Sequence, residues 1–269
     1  MKAFCTTIFT VSLTAYLVTT TLKVTQAKTQ HSQTNNYQTF TDWCLNQKQL
    51  SATEQQTIQV LLEKAGTSDC ESASQQLQNS TELNLVGQQI SDLHPLVSLP
   101  NLTKLRLATN KITDLSPLRS HTQLQELDLT ENQVRDLQPL QALRNLTTLD
   151  LTGNPVTDLS PLSSLKNLRA LYLDGIQTNN LRPLSSLTNL TTLYLKGNQI
   201  NDLNPLKSLT NLTELDLFSN QINDVRPLAS LTKLTNLDLS FNQITDLRSL
   251  SGLKNLTELS VIRNPINNK

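Results

Sequence analysis

The chain has 269 residues, 37% of them hydrophobic and 16% charged, with 22 Lys+Arg balanced by 22 Asp+Glu. A formal net charge of +0 argues against a polyanion binder or an acidic tail, so nucleic acid is not an expected partner.

Residues 3–22 are apolar or Ser/Thr and carry no charge, with Lys2 before them and Lys23 after. That is the pattern of a secretory signal peptide over 1–27, cut after Ala27. The alternative is an uncleaved membrane anchor, since the segment is long enough to span. Cleavage would leave 20 basic against 22 acidic residues, no membrane-inserting segment, and only Cys44 and Cys70 as cysteines. In an exported chain those two read as one disulfide, with two free buried thiols as the alternative. The location expected is secreted, periplasmic or cell-surface.

Residues 28–38 are Gln, Thr, Asn and Ser without apolar pattern and read as a disordered lead. From 39 to 79 the composition becomes that of a small helical unit. Phe40, Trp43 and Cys44 share one face of a short helix. Ser51 and Glu54 make a capping box, followed at helical spacing by Ile58, Leu61, Leu62 and Ala65, and Gly66 ends the run. Ser68 and Glu71 read as a second box, with Cys70, Ala73 and Leu77 on the face that follows. The unit stands where a stack of repeats needs an N-terminal cap.

Residues 80–269 repeat every 22 positions, from Ser80 through Leu102, Leu124, Leu146, Leu168, Leu190, Leu212 and Leu234 to Leu256, the ninth copy stopping at Lys269. A fixed period of this length is the signature of a solenoid. In the copy beginning at Leu212, Leu215 and Leu217 alternate with polar neighbours, a strand with one buried face. Asn220 turns the chain; its column is Asn110, Asn132, Asn154, Asn198, Asn220, Asn242 and Asn264, able to bond the backbone of adjacent coils. A Pro column, Pro95 through Pro227, limits the return path to turns or short 3₁₀ segments. The Asp column from Asp92 to Asp246 supplies one carboxylate per coil; it fits capping of that return better than a calcium ladder, so no metal is expected. His121 interrupts a Leu column, where it is expected to meet water or a carbonyl. Ile176 stands in the Asn column and Thr178 in an Ile column, either as drift or as a distorted coil that re-aims nearby side chains.

The spacing L-x-x-L-x-L-x-x-N-x-I-x-D-L-x-P-L-x-x-L resembles the leucine-rich repeat in its 22-residue, internalin-type form. The resemblance implies an α/β solenoid, a leucine-rich-repeat arc with a parallel concave sheet, short turns or 3₁₀ segments on the convex side and a helical N-terminal cap. With Cys44 and Cys70, that cap resembles the disulfide-bearing caps of exported bacterial leucine-rich-repeat proteins. The resemblance also implies a protein partner on the concave face.

The residues agree. All four aromatics of the repeats, Tyr172, Tyr194, Phe218 and Phe241, fall on exposed strand-side positions, although an aliphatic core has no packing need for them. Asp128, Asp150, Asp174, Asp216 and Asp238 accompany them, and the concave positions carry ten acids against four bases, about −6. No Ser-His-Asp set, zinc spacing or Gly-rich phosphate loop is visible, so neither catalytic residues nor a cofactor are expected. The expected function is an exported, non-enzymatic protein-binding module. The alternative is a structural protein that self-associates through the edge of its last repeat.

Overall fold

The computed structural model describes residues 37–267, and the signal segment expected over 1–27 lies outside them, as does most of the lead. The chain divides into Met1–Tyr37 and Gln38–Lys269, and the fold below is that of the second unit.

Three helices open it: α1 (Phe40–Leu45), α2 (Ala52–Ala65) and α3 (Cys70–Gln78). The Ser51–Glu54 box forms as expected, and Thr39 with Asp42 forms another on α1. The box expected from Ser68 and Glu71 does not form. Asp69 caps α3 instead, accepting from the Ser72 N–H at 2.8 Å, because a carboxylate is the stronger acceptor at a helix N-terminus. Cys44 at the end of α1 is bonded to Cys70 at the start of α3 across 26 residues of sequence, which resolves the choice between a bridge and two thiols. Closing such a loop stabilises the cap by about 3–4 kcal/mol on the chain-entropy account. The Thr57 hydroxyl of α2 donates to the Asp92 carbonyl at 2.7 Å, tying the cap to the first coil.

Nine three-residue strands follow, β1 to β9 (Glu82–Asn84, Lys104–Arg106, Glu126–Asp128, Thr148–Asp150, Ala170–Tyr172, Thr192–Tyr194, Glu214–Asp216, Asn236–Asp238 and Glu258–Ser260). They form one parallel sheet in sequence order, each pair offset by 22 residues, as in Leu127↔Leu149. The returns are five-residue 3₁₀ segments such as Ser116–Ser120, most with Pro in the first turn. The two leucines of each coil from β2 to β8 are 0–2% exposed, so the core is a continuous aliphatic column. Leu259 and Ile262 of the ninth coil are 44% and 67% exposed. Among the described residues no helix is long and apolar enough to cross a membrane.

Side chains join the coils as much as strands do. Each Asn of the turn column donates through Nδ2 to a leucine carbonyl of the coil before, at 2.8–3.0 Å, and to a carbonyl of its own coil. Its Oδ1 accepts a buried N–H of the preceding coil at 2.9–3.0 Å. A second Asn column recurs at a fixed place in the repeat, but its bonding does not show in the periodicity. Asn101, Asn145, Asn167, Asn189, Asn211 and Asn255 donate to carbonyls of the preceding turn at 2.8–2.9 Å. The Asp column does cap the returns, each Oδ1 accepting the N–H two residues on at 2.8–2.9 Å.

The residue before each turn Asn takes a left-handed conformation, at Gly153 and Gly197 but also at Thr109, Glu131, Ser219, Phe241 and Arg263. Where the Asn is missing, the chain compensates: after Gln88 and Ile176, Gln89 and Gln177 are also left-handed, at φ 57 and 60. Ile176 is fully buried, Thr178 is 4% exposed, and the Val156 N–H, lacking an Asn in the next coil, bonds to the Asn154 carbonyl at 2.9 Å. The distortion stays in the turn, since Tyr172↔Tyr194 keep the common register. It therefore does not re-aim the strand residues.

His121 is 0% exposed and does not reach water. One ring nitrogen, Nε2, lies 3.0 Å from the Leu96 carbonyl; the other, Nδ1, has no hydrogen-bond partner among the described residues. Burial pushes its pKa down from the ordinary 6.5.

Two tests follow from these contacts. Asn220→Ala strands the buried Ile200 N–H and leaves the Leu195 and Leu217 carbonyls with one amide donor each, from Asn198 and Asn242, and is expected to cost about 2 kcal/mol. Asn211→Ala, which removes two exposed bonds, one to the Thr188 carbonyl and one from the Lys233 ammonium, is expected to cost about 1 kcal/mol or less, and denaturant midpoints compare the two. His121 resists protonation only when folded, so the stability it contributes is present above pH 6.5 and lost as pH falls toward its lowered folded value. His121→Leu is expected to flatten that dependence and raise stability by about 1 kcal/mol at neutral pH, because Leu96 O keeps the Leu99 N–H. Melting curves from pH 7.5 to 5 decide it.

Candidate functional site

The solvent-facing side of the sheet is built from two alternating columns. The column between the strand leucines runs Asn84, Arg106, Asp128, Asp150, Tyr172, Tyr194, Asp216 and Asp238, brought side by side by the common register. Two positions on stand Asp174, Lys196 and Phe218, and Phe241 follows one position further in its own coil.

The carboxylates in this face have a local task that the sequence did not disclose. Asp128, Asp150, Asp216 and Asp238 each accept, through Oδ1, the N–H two residues later, from Thr130, Thr152, Phe218 and Ser240, at 2.8–3.0 Å. Asn84 makes the same bond to Val86 at 3.1 Å, which shows that the bond needs the oxygen and not the charge. One oxygen of each Asp is thus structural.

Tyrosine cannot make that bond. At the coil where Tyr194 replaces the carboxylate, Asp174 of the preceding coil reaches across and accepts the Lys196 N–H at 2.8 Å. The aromatic pair occupies positions where most coils put an acceptor, Arg106 being another exception, and the carboxylate of Asp174 takes the place of one of them.

The four aromatics form two pairs. Tyr172 and Tyr194 meet edge to face with centroids 5.1 Å apart, and the Tyr194 hydroxyl donates to Glu214 at 3.3 Å. Phe218 and Phe241 lie tilted at 4.9 Å, and the Lys196 ammonium sits 4.9 Å from the Phe218 centroid. Tyr172, Tyr194 and Phe218 are half-buried and Phe241 is 48% exposed. Phe241 holds φ 59, a conformation that a bulky side chain adopts at a cost of about 1 kcal/mol or more. The ring packs in part on Phe218 of the neighbouring coil and remains otherwise in solvent.

Charge is not balanced here. Lys104 bridges Glu82 and Glu126 at 3.5 and 3.3 Å, and Arg106 is paired in register with Asp128. Among the described residues, the ion pairs include none of Asp150, Asp174, Glu214, Asp216 or Asp238. Burial and then neighbouring acids hold the Asp174 and Asp216 carboxyls above the usual range, although each accepts a backbone N–H. The tyrosine hydroxyls are pushed up as well, first by burial and then by Glu214. Among the described residues no cluster of three His, Cys, Asp or Glu could hold a metal ion.

A stack of 22-residue coils with a parallel sheet on one side, 3₁₀ returns on the other and a disulfide-closed helical cap is the architecture of a leucine-rich-repeat solenoid, a fold typical of protein-binding modules. Sequence comparison agrees: the profile described as Leucine Rich repeats (2 copies) matches residues 81–120, 122–164, 144–189, 188–230 and 232–268, and the chain belongs to that family. Its structural relatives include internalin C2 of Listeria monocytogenes, 36% identical, with a TM-score of 0.70 over 76% of this chain and 91% of that one. An internalin F of the same organism is 30% identical, with a TM-score of 0.68 over 80% and 70%. The Arabidopsis receptor kinase HAESA, solved with the peptide hormone IDA and a co-receptor, is 26% identical, with a TM-score of 0.62 over 69% of this chain and 34% of that one. Comparison with curated proteins returns no match.

The strained Phe241 gives a test that separates packing from display. Phe241→Asn, which suits the left-handed backbone, is expected to leave stability within about 1 kcal/mol or raise it. A loss of about 2 kcal/mol or more in denaturant unfolding would make the ring a structural residue.

Proposed function

We propose that this protein is an exported, non-enzymatic binding module that docks a protein partner on its concave face, centred on Tyr172, Tyr194, Phe218 and Phe241 and flanked by Asp128, Asp150, Asp174, Asp216 and Asp238. The observation that carries the reading is the tyrosine pair. It displaces two backbone-capping acceptors, requires Asp174 to substitute for one of them, and contributes nothing to a core already filled by leucine. Stacked aromatics left half in solvent on an otherwise polar sheet are the composition of an interface centre.

Export is supported by the uncharged segment 3–22 and by the Cys44–Cys70 bridge, a bond that persists in oxidising compartments. Binding as such is supported by the related receptor kinase solved with a peptide hormone on board. The repeats also suit binding physically, because coils that contact only their neighbours leave one long face free for substitution.

Affinity capture with the full chain, followed by titration of the captured protein, tests the site. Tyr172→Ala with Tyr194→Ala is expected to weaken that complex by on the order of 2 kcal/mol while leaving the unfolding midpoint nearly unchanged. Normal binding by the double variant, with a much lower midpoint, would make the rings structural and place the interface elsewhere.

A further inference from the structure

The aromatic residues do not run along one column. From Tyr172 and Tyr194 the series steps sideways to Phe218 and again to Phe241, so that it crosses the sheet obliquely. Three coil spacings are about 14 Å, and the lateral shift of three residues is about 10 Å, so the stripe is about 17 Å long. Carboxylates lie on both sides of it. Asp150 precedes the tyrosines in their column and Asp216 follows them, with Asp174 and Glu214 beside them and Asp238 beyond. Both tyrosine hydroxyls are close enough to Glu214 to be raised by it.

Among the described residues one ammonium, that of Lys196, stands among these groups; it is turned to the Phe218 ring and forms no ion pair with the carboxylates, although its charge favours ionised Asp174 and Asp216. Further along the face toward the cap the charges are matched, Lys104 bridging Glu82 and Glu126. The acids of this face outside these ion pairs therefore run from Asp128 and Glu131 to Asp238 and Glu258, and the aromatic stripe lies within that run. Carboxylates beside an aromatic face form a site for a cation: ring quadrupole and fixed negative charge attract the same guanidinium or ammonium.

We infer that the occupant of the stripe is a basic protein segment, seated obliquely, with an apolar ridge on the four rings and arginine or lysine side chains against Asp150, Asp216 and Asp238. The inference rests on the concave-face reading and specifies the partner's chemistry. The structural oxygen of these Asp residues makes a clean test possible. Asn keeps the acceptor for the N–H two residues on, as Asn84 does, and removes only the charge.

A random twelve-residue peptide library displayed on phage is selected against the immobilised full chain. The best binders are then synthesised and titrated against wild type, Asp150→Asn/Asp216→Asn and Tyr172→Ala/Tyr194→Ala. The result expected is enrichment of arginine or lysine together with aliphatic or aromatic residues, affinity at least tenfold weaker for each variant, and a loss of affinity with salt that is steeper for wild type than for Asp150→Asn/Asp216→Asn. Binders lost on the tyrosine variant but kept on the Asp→Asn variant leave the concave site standing and overturn the cationic partner. Binders indifferent to both variants overturn the site itself. Enrichment of neutral or acidic sequences, or no enrichment at all, overturns the inference.

Discussion

The solenoid depends on one bond pattern, the two-sided hydrogen bonding of the turn Asn. A chain that leaves a strand and doubles back over an aliphatic core buries backbone N–H and C=O groups that water cannot reach, and each left unpaired costs about 1–3 kcal/mol. Asn answers both needs at once, giving Nδ2 to carbonyls of two coils and taking the N–H of the coil before. Asp would lack the donors, and leucine would lack both functions. Because the partner groups lie in the preceding coil, the bond also fixes the register between coils, and the columns on the open face inherit their alignment from it.

That alignment is what allows surface positions to be exchanged freely. The carboxylates of the open face share a simple rule, one oxygen to the N–H two residues on. Where tyrosine breaks the rule, the substitution is met by Asp174 from the next position over, and the strands remain in register. Electrostatics then follow from geometry. Moving a carboxylate to a half-buried site beside Asp150 and Asp216 raises its pKa, a cost accepted in order to satisfy the backbone.

Most of the fold was legible in the sequence because a period of 22 repeats its own evidence, and the returning Leu, Asn, Pro and Asp columns each have a single physical reading. The second Asn ladder was not, since Asn101 and its equivalents follow a residue that could as well have been surface filler; nothing in the spacing shows that the amide reaches back to the preceding turn. The cap of α3 was misplaced by one residue because Ser68 and Asp69 are both competent caps, and only the three-dimensional path selects between them. His121 was legible as an exception to a Leu column, and it meets the carbonyl expected of it, but its polar ring suggested access to water that a column of leucines only 0–5% exposed does not give. At the open face, the aromatics could be placed by counting. Their pairing across coils, and the local bond that ties up half of each carboxylate, required the coordinates.

The coil from Leu168 shows how far such a chain can depart from its pattern. It lacks the turn Asn, carries Thr178 for Ile and Asn180 for Asp, and bears the first of the two tyrosines. A globular core would transmit three such changes widely, but here each coil touches only its neighbours. The left-handed Gln177 absorbs the altered turn, Asn180 still accepts the Arg182 N–H at 3.1 Å, and the strand remains in line. Gln89 does the same in the other coil without the Asn, which carries no aromatic. The backbone solution is therefore a general repair rather than an adaptation to the tyrosines. The open face and the turn vary independently, and the aromatic stripe owes its position to side-chain choice alone.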